Sequence, residues 1–312
     1  ASLEAPEGKT LVMTVNGESV APAPGNYEGD IVLEVLDPIP NGNYQFRAAI
    51  YAEGGAVIEE KSALSAVLDG EVKDGECIDV SITSRDENFN GICVGGKGPY
   101  TVSGADVSLM GNGGNDFIGY GAGIMSGDDA VLTVEDSYIT TKGAARGALF
   151  AGGNSKLYVK NCEISAEDGV LPYDYEDNVM PGNMRRVPWM LGLTGRVRAT
   201  NLVDSATATY NRCHIKCENW GCMSTDATKK ARLYLNDCLL ESENTGYGAY
   251  SIGNCLDQFT GCTLNMGNYP VIMCMEGNAT FTGCTVNSKK VGVMCHGGNG
   301  QGTLTVDKGT VF

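Results

Sequence analysis

Positive charge is what this chain has least of. Its 312 residues carry 22 Lys and Arg against 38 Asp and Glu, a formal net charge of −16. Phosphate neutralisation needs clustered Lys and Arg, so a nucleic-acid partner is disfavoured, and an anionic lipid surface for the same reason. Polymeric uronic acids would also be repelled unless a cation or a local basic patch intervened. No apolar run reaches about 18 residues, so no membrane span is expected. The helical period is missing, and there are only two His. With 43 Gly and 19% charged residues, the composition fits a rigid extracellular scaffold. A start at Ala1 instead of Met fits a mature or trimmed chain whose export signal is gone, so a secreted or cell-surface location is expected.

What the chain does have is repetition. A short strand ending in Cys or Ser plus one more apolar residue recurs every 22 to 25 positions. The units are VEDSYI around Ser137, VKNCEI around Cys162, YNRCHI around Cys213, LNDCLL around Cys238, FTGCTL around Cys262 and FTGCTV around Cys284. The single interval of 51, from Cys162 to Cys213, reads as two turns of the period with one unit disguised. A strand-based period of this size belongs to one coil of a solenoid. Equivalent positions then stack about 4.8 Å apart, and Cys, Ser or Ala fills that inner column without bulging the wall.

In this repeat the chain resembles the right-handed parallel β-helix superfamily, the pectin-lyase-like fold, over roughly residues 75 to 312. The expected fold is therefore all-β. A right-handed parallel β-helix solenoid occupies 76–312, with inserted loops at 111–123 and 170–200. Ahead of it, residues 1–75 hold APAPG at 21–25, LDPIPNG at 36–42 and the strand-like stretches TLVMTVN, DIVLEVL and YQFRAAIYA. They read as a small N-terminal β module that caps the open end, as solenoids require. The last unit stops at Phe312 in mid-coil without a polar cap. That points to a natural continuation, a clipped companion segment that stays bound, or an oligomer in which another chain completes the stack.

Twelve Cys in an exported protein would ordinarily mean disulfides. Here Cys162, Cys213, Cys238, Cys262 and Cys284 occupy equivalent positions, and a buried free Cys behaves as a small hydrophobe. The cluster Cys213, His214, Cys217, Cys222 fails as a metal site. An extended strand rises about 3.3 Å per residue, which separates Cys213 from Cys217 by about 13 Å and turns His214 to the opposite face. No metal ligand set and no cofactor are assigned.

Two stretches break the period, GNGGNDFIGYGAG at 111–123 and the longer segment from Gly169 to about Thr200. A loop thrown out of a regular solenoid is where function tends to sit. The second holds Tyr173, Asp174, Tyr175, Glu176 and Asp177, then Arg185, Arg186, Trp189, Arg196 and Arg198. Carboxylates beside tyrosines and guanidiniums can supply a proton acceptor, a donor and a fixed positive charge. Asp174, Glu176, Asp177, Tyr173, Tyr175, Arg185 and Arg186 are thus the candidate catalytic set. The competing reading is a solvated loop whose charges pair with each other.

Just before one strand of each coil stand Arg146, Trp220, Tyr247 and Tyr269, which should stack as a column of large side chains. Facing outward, they would form a platform for sugar rings or other flat ligands. Beyond this column, Ile124, Ala148, Cys222, Ala249, Val271 and Val293 read as inward. Met125, Leu149, Met223, Tyr250, Ile272 and Met294 have the other parity. A strand apolar on both faces is buried on both, so the 170–200 loop, a second subunit or an apolar ligand should cover this wall.

Polygalacturonase-like enzymes of the superfamily carry paired aspartates and Gly-His-Gly. The nearest match, Cys295-His296-Gly297-Gly298, departs at the first glycine. Pectate-lyase-like sites use a calcium-binding carboxylate cluster with a basic residue, which Asp174, Glu176 and Asp177 with Arg185 or Arg186 could imitate, so calcium is possible. The resemblance favours a secreted carbohydrate-active lyase, hydrolase or epimerase. Arg146, Trp189, Trp220, Tyr247, Tyr250, Tyr269 and His296 are its candidate substrate-binding residues. One alternative is an acid–base isomerase or lyase of an apolar small molecule held under the 170–200 loop, in a pocket walled by Met223, Tyr250 and Trp189. A non-catalytic surface or adhesion protein is the other.

Overall fold

A computed structural model describes residues 3–7, 9–36, 47–297 and 302–312. Residues 37–46, which hold most of LDPIPNG and the start of YQFRAAIYA, and Gly298 lie outside the described residues. The chain is all-β, interrupted among the described residues only by single turns of 3₁₀ helix at Glu59–Lys61, Leu64–Ala66 and Trp189–Leu191.

Most strands join one of three parallel ladders. The first runs from Pro99–Ser103 through Val131–Glu135, Lys156–Lys160, Thr207–Asn211, Arg232–Asn236, Leu256–Thr260 and Asn278–Thr282 to Thr303–Val306. The second runs from Asp106–Met110 through Tyr138–Lys142, Glu163–Glu167, His214–Cys217, Leu239–Ser242 and Thr263–Met266 to Thr285–Ser288. The third begins at Arg47–Glu53 and passes through Phe89–Gly95, Ile124–Ser126, Leu149–Ala151, Thr200–Asp204, Gly221–Thr228, Tyr247–Gly253 and Tyr269–Cys274 to Val293–Cys295. The chain visits each ladder once per repeat, an arrangement compatible with a parallel β-helix-like solenoid.

The repeated sequence unit is the corner between the first and second ladders. The residue before each Cys or Ser takes a left-handed backbone, with φ of 51° to 64° at Asp136, Asn161, Arg212, Asp237, Gly261 and Gly283. Asp, Asn and Gly tolerate that region, which explains the choice at every corner except Arg212. There the guanidinium Nε donates to Asn161 Oδ1 at 3.0 Å. The next side chain, buried, turns back to its own strand. Ser137 Oγ donates to Glu135 O at 2.7 Å, Cys162 Sγ to Lys160 O at 3.2 Å and Cys238 Sγ to Asn236 O at 3.3 Å. A small donor fits here because it satisfies a corner carbonyl without adding bulk. All twelve cysteines are free thiols, and only Cys295 is exposed.

The interval of 51 is not two coils. Glu163 pairs directly with His214, and Lys156 with Thr207, so a single coil carries the whole 170–200 excursion as an inserted loop. In the main hydrophobic core, Leu, Ile, Val and Phe side chains are almost fully buried, each contributing roughly 1.5–3 kcal/mol. Phe259 and Phe281 stack 4.7 Å apart in neighbouring coils.

Of the N-terminal stretches, Thr10–Val15, Glu18–Val20 and Ile31–Leu36 form a separate antiparallel sheet. Arg47–Glu53 is already a rung of the third ladder. The separate sheet meets the flank of the stack: Ser19 Oγ donates to Leu171 O at 2.9 Å. Val67–Lys73 runs antiparallel along Glu76–Ser84 at the start of the stack. At the other end Leu304, Val306, Val311 and Phe312 are exposed.

The third ladder is apolar on both faces, with a register one residue away from the sequence alignment in the early coils. Ile124 pairs with Leu149 and Met223 with Ala249, Val271 and Val293 in turn, all facing the core. Met125 and Phe150 stack outside, as do Ser224, Tyr250, Ile272 and Met294.

Candidate functional site

Both breaks in the period fold onto the outside of the third ladder and meet there. The 111–123 loop is tied down by buried polar side chains. Asn90 Nδ2 donates to Gly119 O at 2.6 Å, and Asn90 Oδ1 accepts from Gly121 N at 3.0 Å. Arg146 lies fully buried and donates to the carbonyls of Gly111, Asn112 and Gly121, and also to Phe89 at 2.7 Å and Asp86 at 2.7 Å. Burial lowers its pKa to about 10, with Glu87 and Asp86 opposing the shift. This corrects its assignment to an outward binding column, because an internal guanidinium that collects loop carbonyls has no face left for a ligand.

The neck of the 170–200 loop is pinned where Asp168 accepts from Arg196 N at 2.6 Å and from Asn219 Nδ2 at 3.1 Å. Met184, Val187, Leu191 and Leu193 then bury against Trp220, Tyr247 and Ile272. The Tyr269 hydroxyl holds the loop down by donating to Leu191 O at 3.2 Å. The two loops touch, since a Cβ on Gly182 would fall 2.4 Å from Asn115 Nδ2. This loop is therefore the cover that the two-faced apolar wall required.

Under it lies a cavity of about 320 Å³. Its apolar lining comes from Phe117 of the first loop, Val179, Pro181, Met184, Pro188, Met190 and Leu191 of the second, and Trp220, Tyr247, Tyr250 and Ile252 of the ladder. Three other side chains face it: Arg198, Asp226 and, partly exposed, His296. Arg198 is only 3% exposed. Its Nε donates to Asp116 Oδ2 at 3.1 Å, and its Nη1 pairs with Asp226 Oδ2. The guanidinium also lies 4.8 Å from the Phe117 ring centroid and 5.0 Å from that of Trp220. Burial is the largest single influence and opposes its charge, but the Asp116 carboxylate together with Tyr247 and Tyr250 outweighs it and raises the pKa above the ordinary value, so it stays cationic. Burial also raises the phenols of Tyr247 and Tyr250, keeping both as hydroxyl donors.

The stacked column is real but differently composed. Arg198 bridges to Gly221, which pairs with Tyr247 and then Tyr269. Trp220 therefore stands one residue out of line, and Gly221 leaves room for the Tyr247 ring, which a Cβ there would meet at 2.1 Å.

The loop residues expected to be catalytic are not gathered at this cavity. Tyr173, Asp174 and Glu176 are exposed, while Asp177 pairs with Arg186 at 2.9 Å, also at the surface. Arg186 lies 5.6 Å from the Tyr175 ring centroid, and the Tyr175 hydroxyl donates to Asn183 O at 3.4 Å. Arg185 is buried away from the cavity lining. Trp189 is 78% exposed, and Met223 belongs to the inner core, so neither walls the pocket. Among the described residues no three His, Cys, Asp or Glu side chains converge to hold a metal ion, so Asp174, Glu176 and Asp177 do not fit a calcium cluster. His214 points outward between Glu163 and Glu241, at 2.8 and 2.9 Å.

The sequence reading missed Asp116, Phe117 and Asp226, and named Arg198 only as one loop arginine among four. The available signal was the isolated Asp-Phe pair inside the glycine-rich excursion. Two other concavities differ in chemistry. An open polar groove of about 400 Å³ on the second ladder is lined by Lys216, Glu241, Glu243, Asn265, Asn287 and Lys289, without an aromatic ring. A wider one of about 790 Å³ near Arg47, Tyr51 and Lys61 has its cations paired at 3.6 Å to Asp86 and 3.0 Å to Glu53. Comparison with family models, curated proteins and solved structures found no match to this chain.

Proposed function

We propose that this chain is a right-handed parallel β-helix of the pectin-lyase-like kind, exported from the cell, that binds a small molecule with an apolar body under the 170–200 loop. The observation that carries this reading is the cavity itself: mostly apolar and aromatic walls with a few convergent polar groups, the usual make-up of a small-molecule site. The chemistry such a site supports is acid–base isomerisation or elimination. Asp226 would accept a proton, Arg198 would hold that carboxylate in place, and Tyr250 would donate a hydrogen bond to developing negative charge.

A carbohydrate-active role has one observation in its favour, the open polar groove along Lys216, Glu241 and Asn265. A thermal-shift panel separates the two. Stabilisation by small aromatic ligands, with no response to uronic-acid oligomers, supports the cavity. Stabilisation by the oligomers alone would move function to the groove.

A further inference from the structure

The charges around the cavity do not balance, and the imbalance identifies its ligand. Resting on the proposal that this cavity is the functional site, we propose that the ligand is an organic cation: an ammonium or quaternary ammonium group carried on a flat apolar body.

Arg198 is a single positive charge held between two carboxylates, all three buried to at least nine-tenths. Asp116, which does not itself line the cavity, engages it through Oδ2 alone, and its Oδ1 is buried without a hydrogen-bond partner among the described residues. Asp226 also gives Arg198 only Oδ2. Two carboxylates against one guanidinium leave one negative charge in excess in a water-poor site, which is costly unless a cation or proton completes it. Among the described residues, the other lining group able to carry positive charge is His296, at the partly exposed edge of the cavity.

The walls favour the same ligand. Phe117, Trp220, Tyr247 and Tyr250 present rings to one cavity, and ring faces attract ammonium groups, most strongly where water is excluded. Arg198 already uses the Phe117 and Trp220 rings in this way, whereas among the described residues no cation lies over the Tyr250 ring. An anionic ligand is disfavoured, because the guanidinium that would receive it is occupied on both sides by aspartates. A sugar is disfavoured because few polar groups are left to satisfy its hydroxyls. The net charge of −16 also draws cations toward the protein and repels anions.

The test uses three probes sharing one phenyl ring: phenyltrimethylammonium, its neutral isostere tert-butylbenzene, and benzenesulfonate. Dissociation constants are measured on the whole chain by ligand-observed NMR. The expected order places the cation about tenfold or more tighter than the neutral probe, with the sulfonate weakest. Asp226→Asn should close most of that gap while leaving tert-butylbenzene binding in place. If tert-butylbenzene binds as tightly as the cation, the ligand is not a cation, although the apolar-cavity reading survives. If none of the three binds, both fall. Should Asp226→Asn not fold, the ranking on the wild-type chain decides the matter alone.

Discussion

The corner between the first and second ladders and the wall formed by the third are made from the same repeat and obey different rules. At the corner, one left-handed residue followed by one small donor recurs from coil to coil, so each position is dictated locally. On the third wall the outer side chains are buried too, Phe150, Ser224 and Ile272 almost completely and Met125, Tyr250 and Met294 in part. Their identities answer to two loops distant in sequence: Asp116 lies 82 positions from the arginine it pairs with. Local rules make a corner that is regular and chemically inert. Long-range packing makes a wall that is irregular and holds a charge cluster in an apolar cavity.

The sharpest way to break this comparison is to remove a charge from each part. Arg198→Met leaves Asp116 and Asp226 buried without a partner and should cost about 3–5 kcal/mol in urea denaturation. The exposed Lys160→Met beside the corner should change stability by no more than about 0.5 kcal/mol. Equal effects would mean that the buried cluster does not organise the wall.

What was legible in the sequence divides along the same line. The corner motif showed itself because its cause is local: VEDS, VKNC and LNDC state the turn residue and the small donor side by side. The both-faced apolar wall was also readable, since parity within one strand is local, as was the need for a cover. The register was not. Placing Arg146 and Trp220 in the stacked column failed by one residue, because the 170–200 insertion and the glycine-rich loop enter the ladder without a turn signal to fix the count. The 51-residue interval was misread for a related reason: an inserted loop and a disguised coil have the same length. Site residues chosen by charge density, such as Asp174 and Glu176, mark solvent exposure, whereas the buried charges stand singly among Gly, Ala and Thr.

In the main core one acid breaks the apolar rule. Asp257 is fully buried, accepts from Thr225 Oγ1 at 3.3 Å, and has its pKa raised from 3.8 to about 8 by burial. Between those values the folded chain keeps a proton that the unfolded chain has released. Stability should therefore fall as pH rises through that window, by up to about 1.4 kcal/mol per pH unit, and level off above it. Asp257→Asn should remove this slope and be the more stable form at the alkaline end. A variant that keeps the wild-type pH profile would assign the slope to other groups.

Thiol chemistry gives a smaller, clean distinction between the buried ladder and its end. In native buffer a thiol reagent should modify Cys295 alone, and in denaturant all 12 cysteines. Fast reaction of further thiols in the native chain would contradict a closed corner column. A small effect is expected at Arg212, whose left-handed backbone lacks the usual Asn, Asp or Gly. Arg212→Gly should raise stability by roughly 0.5–1 kcal/mol, whereas a loss would show that the bond to Asn161 outweighs the strain.

The chain has two tryptophans, one exposed at Trp189 and one in the cavity wall at Trp220, which is 2% exposed. Trp189→Phe therefore leaves a single reporter inside the proposed site. Titrating this variant with phenyltrimethylammonium and tert-butylbenzene while following Trp220 emission tests most directly whether the wall between the two loops is a ligand site. A saturable change with at least one probe is the predicted result, and an emission spectrum that neither probe alters would contradict the account.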